Sequence, residues 1–426
     1  MSTSQIPSSD SDANNGQTRP FSGYRILDFS QVIAGPVASQ LLNASGAQVI
    51  KVEAPIKGDQ LRHMKLSKGQ DTSRASSTFT AINRGKHSIT LDLKSAAGQA
   101  TAKRLASACD VVVENFRPGV IDRLGLGYEV MKQARPDIIF CSVSGYGQTG
   151  PLSKRPAYDS AIQAASGMMS FTGHPETGPT RTGYTPVDVS AGLLAAFAIS
   201  SALLRRERTG LGQQIDVAML DAASMLAMTG LTGYLDDGST PALMGNASPA
   251  HCLTADCFKA SDGYLMVSAI TPPHGEAVMK CLGLPANIWH DYLPLAADSE
   301  AAEQLRQQVN QAFETQTIDH WGHLLQAQGV AWERVNTVAE AGDLAQHQHR
   351  SLIERVPPRE DDDNPAQHTA PGGRRTFGGA FLADADGPEF SGATTPILGN
   401  ATESVLREIG LSDEEVKSLA DAGAFG

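Results

Sequence analysis

The sequence has few of the features that mark a secreted, metal-binding or nucleic-acid-binding protein. Its five cysteines are scattered and odd in number (Cys109, Cys141, Cys252, Cys257 and Cys281), which suits reduced thiols better than a disulfide framework. No second Cys or His pair stands at zinc spacing from Cys252 and Cys257, so no metal site is predicted. Lys and Arg total 34 against 46 Asp and Glu, a formal charge of −12. This balance argues against a nucleic-acid or anionic-membrane surface.

Targeting signals and long apolar runs are also scarce. The N-terminus lacks the basic start and apolar core of a signal peptide. Its Ser, Asn, Asp and Gln content predicts a disordered tail over residues 1–20. The longest apolar stretch, residues 189–204, falls short of the about 18 to 20 residues that span a bilayer. We therefore expect a soluble, cytoplasmic protein with a buried helix at this stretch.

Several widespread nucleotide-binding and nucleophile motifs are missing. No G-x-G-x-x-G follows the first predicted strand, and Gly125 and Gly127 stand before a helix in the wrong context. The chain also has no P-loop and no G-x-S-x-G elbow. The first absence argues against a nicotinamide-binding site. The other two argue against a P-loop nucleotide-binding protein and against a serine hydrolase of the G-x-S-x-G type.

What the chain does contain is a regular alternation of strands and helices. Residues 24–55 (YRILDFSQVIAGPVASQLLNASGAQVIKVEAP) predict strand, turn, helix and strand, with Pro36 in the first helical turn and Gly46 just past the helix. HSITLDLKS, CDVVVENF and DIIFCSVSGYG predict further strands, with helical stretches between them. The pattern favours an α/β fold, with a parallel sheet covered by helices on both faces.

The length of 426 residues favours two domains over one core. We predict the first part of a large domain over 21–225, a smaller α/β domain over 226–345, and a linker and C-terminal segment over 346–426. In the smaller domain, FKASDGYLMVSAI predicts a hairpin and residues 275–345 are mostly helical. Residues 355–379 read as a solvated linker, and the chain ends in amphipathic helices with a capping box at Ser412 and Glu415.

Three loops with Gly and Pro residues directly follow predicted strands. They are FSQVIAGP, ENFRPG and SGYGQTGP. In an open parallel sheet, the loops after the carboxyl ends of the strands share one crevice, where ligands bind. The sequence therefore predicts that these three loops meet at a single site.

One carboxylate stands at the start of the longest apolar stretch. In TPVDVSAGLL, Asp188 precedes a run of small and apolar residues. An Asp at a helix start accepts a backbone N–H and faces the positive end of the dipole, stabilising by about 1 kcal/mol. On this stretch alone, a helix cap is the favoured interpretation. The same position would keep a carboxylate ionised and aimed out of the helix end, as a nucleophile requires.

A set of stretches in register resembles the family III CoA-transferases, the CaiB/BaiF group. They run in order from about residue 21 to 421 and include DFSQVIAGPVASQLLNASGAQVIKVEAP, NRGKHSITLDLKS, DVVVENFRPGVIDRLGLGYE, FCSVSGYGQTGP, the TPVDVSAGLL helix and LGNATESVLREIG. The resemblance implies a large Rossmann-like domain and a smaller domain, with the C-terminal segment returning to the large one. It also implies an interlocked homodimer.

The resemblance assigns roles to individual residues. Asp188, ahead of the glycine turn TGLGQQ, matches the family's catalytic nucleophile. Lys94 and Arg123 would supply charge to the CoA phosphates. The full set of residues implied to contact CoA is Ile33, Ala34, Leu91, Asp92, Leu93, Lys94, Asn115, Phe116, Arg117 and Arg123.

This sequence departs from the family pattern at three places. Ala54 stands where some relatives carry Arg, and Pro156 where some carry Lys, although Arg155 is adjacent. The phosphate clamp must therefore differ in detail. The stretch MGNASPAHC lacks the multi-glycine run of formyl-CoA and oxalate members, which argues against oxalate as a substrate.

Tyr158 and Asp159 separate the transferases from the nearest rival. The α-methylacyl-CoA racemases carry His directly before an Asp here, whereas this chain has Tyr158. Two-base proton exchange needs groups with pKa values near neutrality, and an unperturbed tyrosine has a pKa of about 10. Asp159 is expected either to line the site as an orienting group or to hydrogen-bond a loop.

The resemblance therefore implies a CoA-transferase that moves CoA from an acyl-CoA donor to a small carboxylic acid. The transfer would run through an aspartyl-CoA thioester on Asp188, with no cofactor beyond CoA as co-substrate. Arg181 and His174, before Asp188 in the chain, are candidates to bind a second carboxylate, which makes succinyl-CoA a candidate donor. An acyl-CoA racemase or isomerase, including intramolecular CoA transfer, and a non-catalytic CoA-binding protein remain the alternatives.

Overall fold

The computed structural model describes residues 19–64, 75–248, 252–286, 300–357, 374–384, 387–390 and 393–426. Nearly all of the tail predicted over 1–20, most of the linker predicted over 355–379, and part of MGNASPAHC lie outside the described residues.

Helices and strands alternate through the first half of the described chain. The strands are β1 (Arg25–Asp28), β2 (Gln48–Glu53), β3 (His87–Thr90), β4 (Val111–Glu114), β5 (Ile139–Ser144), β6 (Gly173–His174), β7 (Gly178–Pro179), β8 (Gln213–Ala218), β9 (Cys257–Ala260), β10 (Gly263–Val267), β11 (Trp332–Arg334), β12 (Ile353–Arg355) and β13 (Arg375–Phe377). The helices are α1 (Ala34–Ala44), α2 (Ser77–Asn83), α3 (Ala96–Ser107), α4 (Val120–Arg123), α5 (Tyr128–Ala134), α6 (Asp159–Ala165), α7 (Pro186–Thr209), α8 (Met219–Leu226), α9 (Met228–Asp237), α10 (Pro272–Cys281), α11 (Glu300–Glu314), α12 (Ile318–Ala327), α13 (Val338–Gly342), α14 (Ala345–His349), α15 (Thr402–Glu408) and α16 (Asp413–Asp421).

Six of the described strands form one sheet in the order β3-β2-β1-β4-β5-β8, and every pairing in it is parallel. All residues of β4 and β5 are buried, as expected for strands covered on both faces. The α/β fold predicted from the sequence is confirmed. The order reverses between β1 and β4, which makes their carboxyl ends the switch point where such sheets bind ligands.

The first strand-helix-strand segment has the helix start and the helix end that its sequence predicts. Pro36 lies in the first turn of α1, where its missing N–H costs nothing. Gly46 follows the C-cap Ser45 with φ of 107°, a conformation that a side chain would strain. This turn returns the chain directly into β2.

Contact density divides the chain into two compact units. The first comprises the described residues of Met1–Ser166, Gly183–Thr229 and Ala345–Gly426, and the second those of Gly167–Thr182 and Gly230–Leu344. Residues 167–182 thus belong to the second unit, whereas the sequence analysis placed them in the large domain.

The first unit is built around the parallel sheet. Leu27, Val112 and Phe140 from three neighbouring strands lie in one fully buried cluster. Leu406 and Val416 from the C-terminal helices pack into the same cluster, so the end of the chain is part of this core. The capping box predicted at the start of α16 is confirmed: Ser412 accepts from the N–H of Glu415, whose side chain accepts from the N–H of Ser412.

The second unit has its own small sheet and its own core. Strands β9 and β10 form the predicted hairpin, and β11 adds to it on the other side in an antiparallel pairing. The ring of Phe313 stacks on Phe258 at 4.3 Å between centroids, and Trp321 meets Phe313 edge-on at 5.4 Å. These aromatic contacts tie α11 and α12 to the hairpin.

Helix α7 is buried on one face only, which corrects the prediction of a buried helix over 189–204. Its small residues, such as Ala191 and Ala195, are fully buried, whereas Leu193 is 51% and Phe197 70% exposed. The sequence did not predict which face is buried, because both faces of the helix are hydrophobic. By length and composition α7 is also long and apolar enough to cross a membrane. Of its apolar 18-residue stretch, 44% is buried inside the protein. Core helices of soluble proteins meet the same criterion.

Candidate active site

A pocket of about 230 Å³ lies in the first unit, where the loops after β1, β4 and β5 meet. The convergence of the three loops predicted from the sequence is confirmed, and the pocket adjoins the switch point of the sheet. Six of the residues predicted as the nucleophile or as CoA contacts line it: Ile33, Ala34, Asn115, Phe116, Arg117 and Asp188.

The first loop is held in a strained conformation at the pocket wall. Val32 has φ of 65°, a left-handed conformation that is rare for a β-branched residue. Its N–H donates to both oxygens of Asp59 at 3.2 Å. These bonds help to hold a conformation that the residue itself disfavours, and the neighbouring Ile33 and Ala34 are presented to the pocket.

A cluster of fully buried, paired charges lies beneath this loop. The Lys51 ammonium contacts Asp59 at 3.0 Å and donates to the Ser30 carbonyl at 2.9 Å. The Lys86 ammonium lies 3.2 Å from Asp28. Burial alone would raise the pKa of Asp28, but the two ammonium groups reverse this and hold it below its usual range. Since each charge has a partner of opposite sign, the cluster is ionised at neutral pH without contact with water. Burial still lowers the pKa of Lys86, to about 8.

The second loop is joined to the first by one side chain. The Asn115 carboxamide accepts from the N–H of Gln31 at 2.8 Å and donates to the carbonyl of Gln31 at 2.7 Å. This two-way bond spans the switch point between β1 and β4. It fixes the distance between two pocket walls and engages the N–H of Gln31, so that group is not available to a ligand.

Glu114, the last residue of β4, is a buried carboxyl group next to the second loop. It accepts from the N–H of Phe116 at 2.8 Å and is 1% exposed. Burial raises its pKa to about 7, although hydrogen bonds from Ser142 and the Phe116 N–H act in the opposite direction. No lysine or arginine forms an ion pair with Glu114 among the described residues, so no cation offsets the burial cost and the hydrogen bonds do so only in part.

The third loop contributes a hydroxyl group and a close backbone approach. Ser144, at the end of β5, is 6% exposed, and its Oγ has no hydrogen-bond partner among the described residues. A Cβ on Gly145 would stand 2.2 Å from that of Ala157, so only glycine lets these segments touch. Arg155 and Tyr158 complete this wall, and both are exposed.

Asp188 reaches the pocket from the first turn of α7. It is not the helix cap that its sequence context favoured: the helix begins at Pro186, Thr185 is the N-cap residue, and Asp188 lies at the third helical position. Burial, and then the charge of Asp159, raise the pKa of Asp188 to about 7. The expectation that this position keeps the carboxylate fully ionised is therefore wrong at neutral pH.

The carboxylate that binds the start of α7 is Asp159. Its Oδ2 accepts from the N–H of Val187 at 2.8 Å and from the N–H of Asp188 at 3.1 Å. Its Oδ1 accepts from the Gln163 side chain at 2.5 Å. Of the two roles expected for Asp159, the structure favours hydrogen bonding to backbone, and the backbone is that of the nucleophile candidate itself.

Other predicted residues do not line this pocket. Leu91 is buried in the core of the first unit, and Asp92 accepts from the N–H of Lys94. Leu93, Lys94 and Arg123 also lie outside the pocket wall. Their contacts with CoA stay predictions. Arg181 and His174 belong to the second unit and are not among the lining residues.

Sequence reasoning missed Glu114 and Ser144. Glu114 was visible as a carboxylate at the end of an apolar strand, a position whose burial was predictable. Ser144 had no such signal, because serine is common at strand ends and its lack of a partner depends on tertiary packing.

The comparisons with known proteins agree on one family. The model of CoA-transferase family III matches residues 21–383. The chain is 33% identical over 410 residues to a mouse succinyl-CoA:glutarate CoA-transferase, covering 96% of this chain and 89% of the relative. It is 36% identical over 344 residues to an acetyl-CoA:oxalate CoA-transferase from Acetobacter aceti, covering 78% and 85%.

A solved structure resembles the whole described fold. The crystal structure of a CaiB/BaiF family protein from Brucella suis superposes with a TM-score of 0.78 at 30% identity, covering 92% of this chain and 100% of that one. The likeness extends well beyond the pocket, so it is one of fold and not of a local motif.

Proposed function

The chain belongs to CoA-transferase family III, and we propose that it transfers CoA from a dicarboxylic acyl-CoA, such as succinyl-CoA, to a small carboxylic acid through a thioester on Asp188. Membership confirms the resemblance seen in the sequence, and the names of the relatives confirm a transferase enzyme. The observation that carries the finer proposal is the Asp188 carboxyl group, which lines a pocket at the sheet's switch point without an ion-pair partner among the described residues.

The proposed chemistry exchanges one activated acyl group for another. The Asp188 carboxylate attacks the donor thioester, forming a mixed anhydride and releasing CoA thiolate, a tolerable leaving group because a thiol has a pKa of about 8.5. The thiolate attacks the aspartyl carbonyl, so the donor acid leaves and an aspartyl-CoA thioester remains. The acceptor carboxylate then forms a new anhydride and thiolate, and thiolate attack on the acceptor acyl carbon yields the new acyl-CoA and free Asp188.

Two groups of the pocket suit the oxyanions that form in these steps. Helix α1 begins at Ala34, and its N-cap residue Ile33 supplies no side-chain hydrogen bond. First-turn N–H groups of a helix lack intrahelical partners and attract negative charge. The unpartnered hydroxyl of Ser144 stands in the same pocket. We assign both to stabilising the tetrahedral intermediates.

A dicarboxylic substrate fits the charges on the pocket wall. Arg117 and Arg155 both line the pocket, both are exposed, and neither forms an ion pair within the described chain. A guanidinium binds a carboxylate through two parallel hydrogen bonds. The mouse relative is named for succinyl-CoA and glutarate, which are of this class. Either arginine is therefore a candidate partner for the second carboxylate of the substrate.

We propose that two copies of the chain associate through α7. Its exposed apolar residues Val189, Leu193, Phe197 and Leu204 recur at helical spacing along one face. A stripe of this kind on a soluble protein marks an interaction surface. Light scattering on the native protein and on Phe197→Glu tests this: the native protein is expected at twice the chain mass of 44.9 kDa, and the variant at a lower mass.

Trapping of the covalent intermediate tests the proposed function most directly. The protein is incubated with succinyl-CoA or acetyl-CoA, treated with hydroxylamine and digested for peptide mass spectrometry. A hydroxamate on Asp188 with succinyl-CoA is expected, and none in Asp188→Asn. Absence of any adduct, in protein that still binds CoA, would contradict the proposal.

The racemase alternative rests on one observation, the near-neutral pKa of Asp188, which also suits a general base. It predicts deuterium incorporation at the α-carbon of a branched acyl-CoA without any acceptor acid. The transferase predicts no incorporation and a new acyl-CoA only when acceptor is present.

A further inference from the structure

Asp159 does for α7 what an N-cap side chain does for other helices. It is the first residue of α6 and is 5% exposed. One of its oxygens accepts from the backbone N–H groups of the second and third residues of α7, Val187 and Asp188. The actual N-cap residue, Thr185, makes no such bond. The first turn of α7, and with it the Asp188 backbone, is therefore attached to a residue 29 positions earlier in the chain.

The same bond brings two carboxyl groups together without a cation between them. Neither Asp159 nor Asp188 forms an ion pair within the described residues. The other charged or titratable groups that face Asp188 in the pocket are Arg117 and Arg155, on exposed parts of the wall, and the Tyr158 hydroxyl. The charge of Asp159 adds to burial in raising the pKa of Asp188.

Repulsion between the two carboxylates acts on one state of the proposed cycle only. Asp188 carries a negative charge when it is free, but it is neutral as a mixed anhydride or as a CoA thioester. Asp159 keeps its position in all these states, since its partners are backbone N–H groups of α7. Its charge therefore raises the energy of the free carboxylate relative to the covalent forms.

We propose that Asp159 is a positioning residue that holds the nucleophile's helical turn and, by its charge, shifts the balance from the free Asp188 carboxylate towards the neutral covalent forms. This inference rests on the proposed transferase function. It separates two roles that one residue combines: the hydrogen bonds set the place of Asp188, and the charge sets its reactivity.

The variant Asp159→Asn separates the two roles, because an amide oxygen still accepts from N–H groups but carries no charge. Asp159→Ala removes both. A matched control is Asp216→Asn, since Asp216 also accepts from a backbone N–H, that of Gln148 at 2.8 Å, but is exposed and outside the pocket wall. Thermal unfolding and CoA binding establish that each variant is folded.

Two readouts respond to charge and not to folding. Only ionised Asp188 attacks, so native activity is expected to fall as pH decreases through about 7; in Asp159→Asn this fall is expected at lower pH, while Asp216→Asn leaves it in place. At saturating succinyl-CoA, the fraction of Asp188 trapped as hydroxamate is expected to drop about threefold to tenfold in Asp159→Asn, since one pKa unit of interaction corresponds to tenfold.

An Asp159→Asn enzyme with the native pH profile and the native trapped fraction would overturn the inference. If native protein gives no adduct on Asp188, the proposed function fails instead. In that case the carboxyl ¹³C titration of Asp188, without substrate, still tests the charge coupling. A lower pKa of Asp188 in Asp159→Asn would support it, and an unchanged pKa would overturn it.

Discussion

Two sets of buried or half-buried carboxyl groups stand at the carboxyl ends of the same sheet. The paired cluster consists of Asp28, Lys51, Asp59 and Lys86, and each of its carboxylates faces an ammonium group. The unpaired carboxyls are Glu114 and Asp159, which are buried, and Asp188, which is half-buried. Burial penalises the charged form in both sets, but only the first set has cations to offset it. The pKa of Asp28 accordingly lies below its usual range, whereas those of Glu114 and Asp188 rise to about 7.

The comparison separates charges that hold the backbone of a loop from carboxyl groups that are available at or next to the pocket. The paired cluster holds the first loop, including the strained Val32, and it is ionised at neutral pH, although burial lowers the pKa of Lys86 to about 8. Asp188 lines the pocket and Glu114 lies next to it, and burial raises the pKa of each to about 7, where a nucleophile or base is most responsive to its surroundings. The charges that have partners therefore lie beneath the first loop, whereas the carboxyls that lack a cation lie at or next to the pocket.

The largest effect is expected from removing the reactive carboxyl. Asp188→Ala should lower kcat/KM for CoA transfer by more than about 1000-fold, because loss of a covalent nucleophile leaves only binding and oxyanion stabilisation. CoA binding should persist, as measured by calorimetry. Asp221→Ala is a matched control, since Asp221 occupies the first turn of α8 but lies outside the pocket. Residual activity within tenfold of native would refute the role of Asp188.

Breaking a pair in the scaffold should cost stability instead. Lys86→Met removes an ammonium partner of Asp28 in a fully buried site. Removal of one member of a buried ion pair typically lowers the free energy of unfolding by about 3–5 kcal/mol. Urea unfolding measures the loss. The double variant Lys86→Met/Asp28→Asn should recover part of it, because the uncompensated charge is gone. Equal stability of the single and double variants would count against this account.

Glu114→Gln should change the pH dependence of stability. The folded-state pKa of Glu114, about 7, lies above its unfolded value of about 4.5. The stability that it contributes is therefore fully present below about pH 4.5 and is lost as pH rises through about 7. Between pH 5 and pH 8, native protein should lose about 2 to 3 kcal/mol more than Glu114→Gln does. Parallel stability profiles for the two proteins would contradict the unpaired, buried state of Glu114.

The smallest effect is expected at the strained residue that the paired cluster holds. Val32 has a φ of 65°, a conformation that costs a side-chain-bearing residue about 1–2 kcal/mol, and Val32→Gly removes this strain. Glycine also increases the conformational entropy of the unfolded chain, which lowers stability. The two terms oppose each other, so the unfolding free energy should change by less than about 1 kcal/mol. A loss of 2 kcal/mol or more would mean that the Val32 side chain contributes packing that outweighs its strain.

Much of the fold was predictable because it depends on local patterns. The apolar runs that became β1 to β5 and the Gly46 turn are visible in short windows, and the convergence of three loops follows from sheet topology. The family resemblance pointed to Asp188, which the structure places in the pocket wall, while its catalytic role stays a prediction. What the sequence did not contain was the contact between Asp159 and the Asp188 backbone, since the two residues meet only after α6 and α7 have packed.

The same limit explains the errors around α7. A lone Asp before an apolar run has the pattern of a cap, but Pro186 starts the helix two residues earlier. The amide groups then find their acceptor in a distant helix. Burial on one face only was equally invisible, since alanine and leucine are both apolar and only the packing of α7 against α1, α8 and the sheet separates them.

Gly192 stands one turn beyond Asp188, on the face of α7 that meets α1. A Cβ there would lie 2.7 Å from the carbonyl oxygen of Ala34 and 2.7 Å from the Val37 Cβ. The two helices touch at this point because a hydrogen atom takes the place of a methyl group. Ala34 and Asp188 both line the pocket, so the spacing between these two lining residues depends on a glycine that is not among the lining residues itself. A larger side chain at position 192 would therefore alter the pocket while leaving every lining residue unchanged.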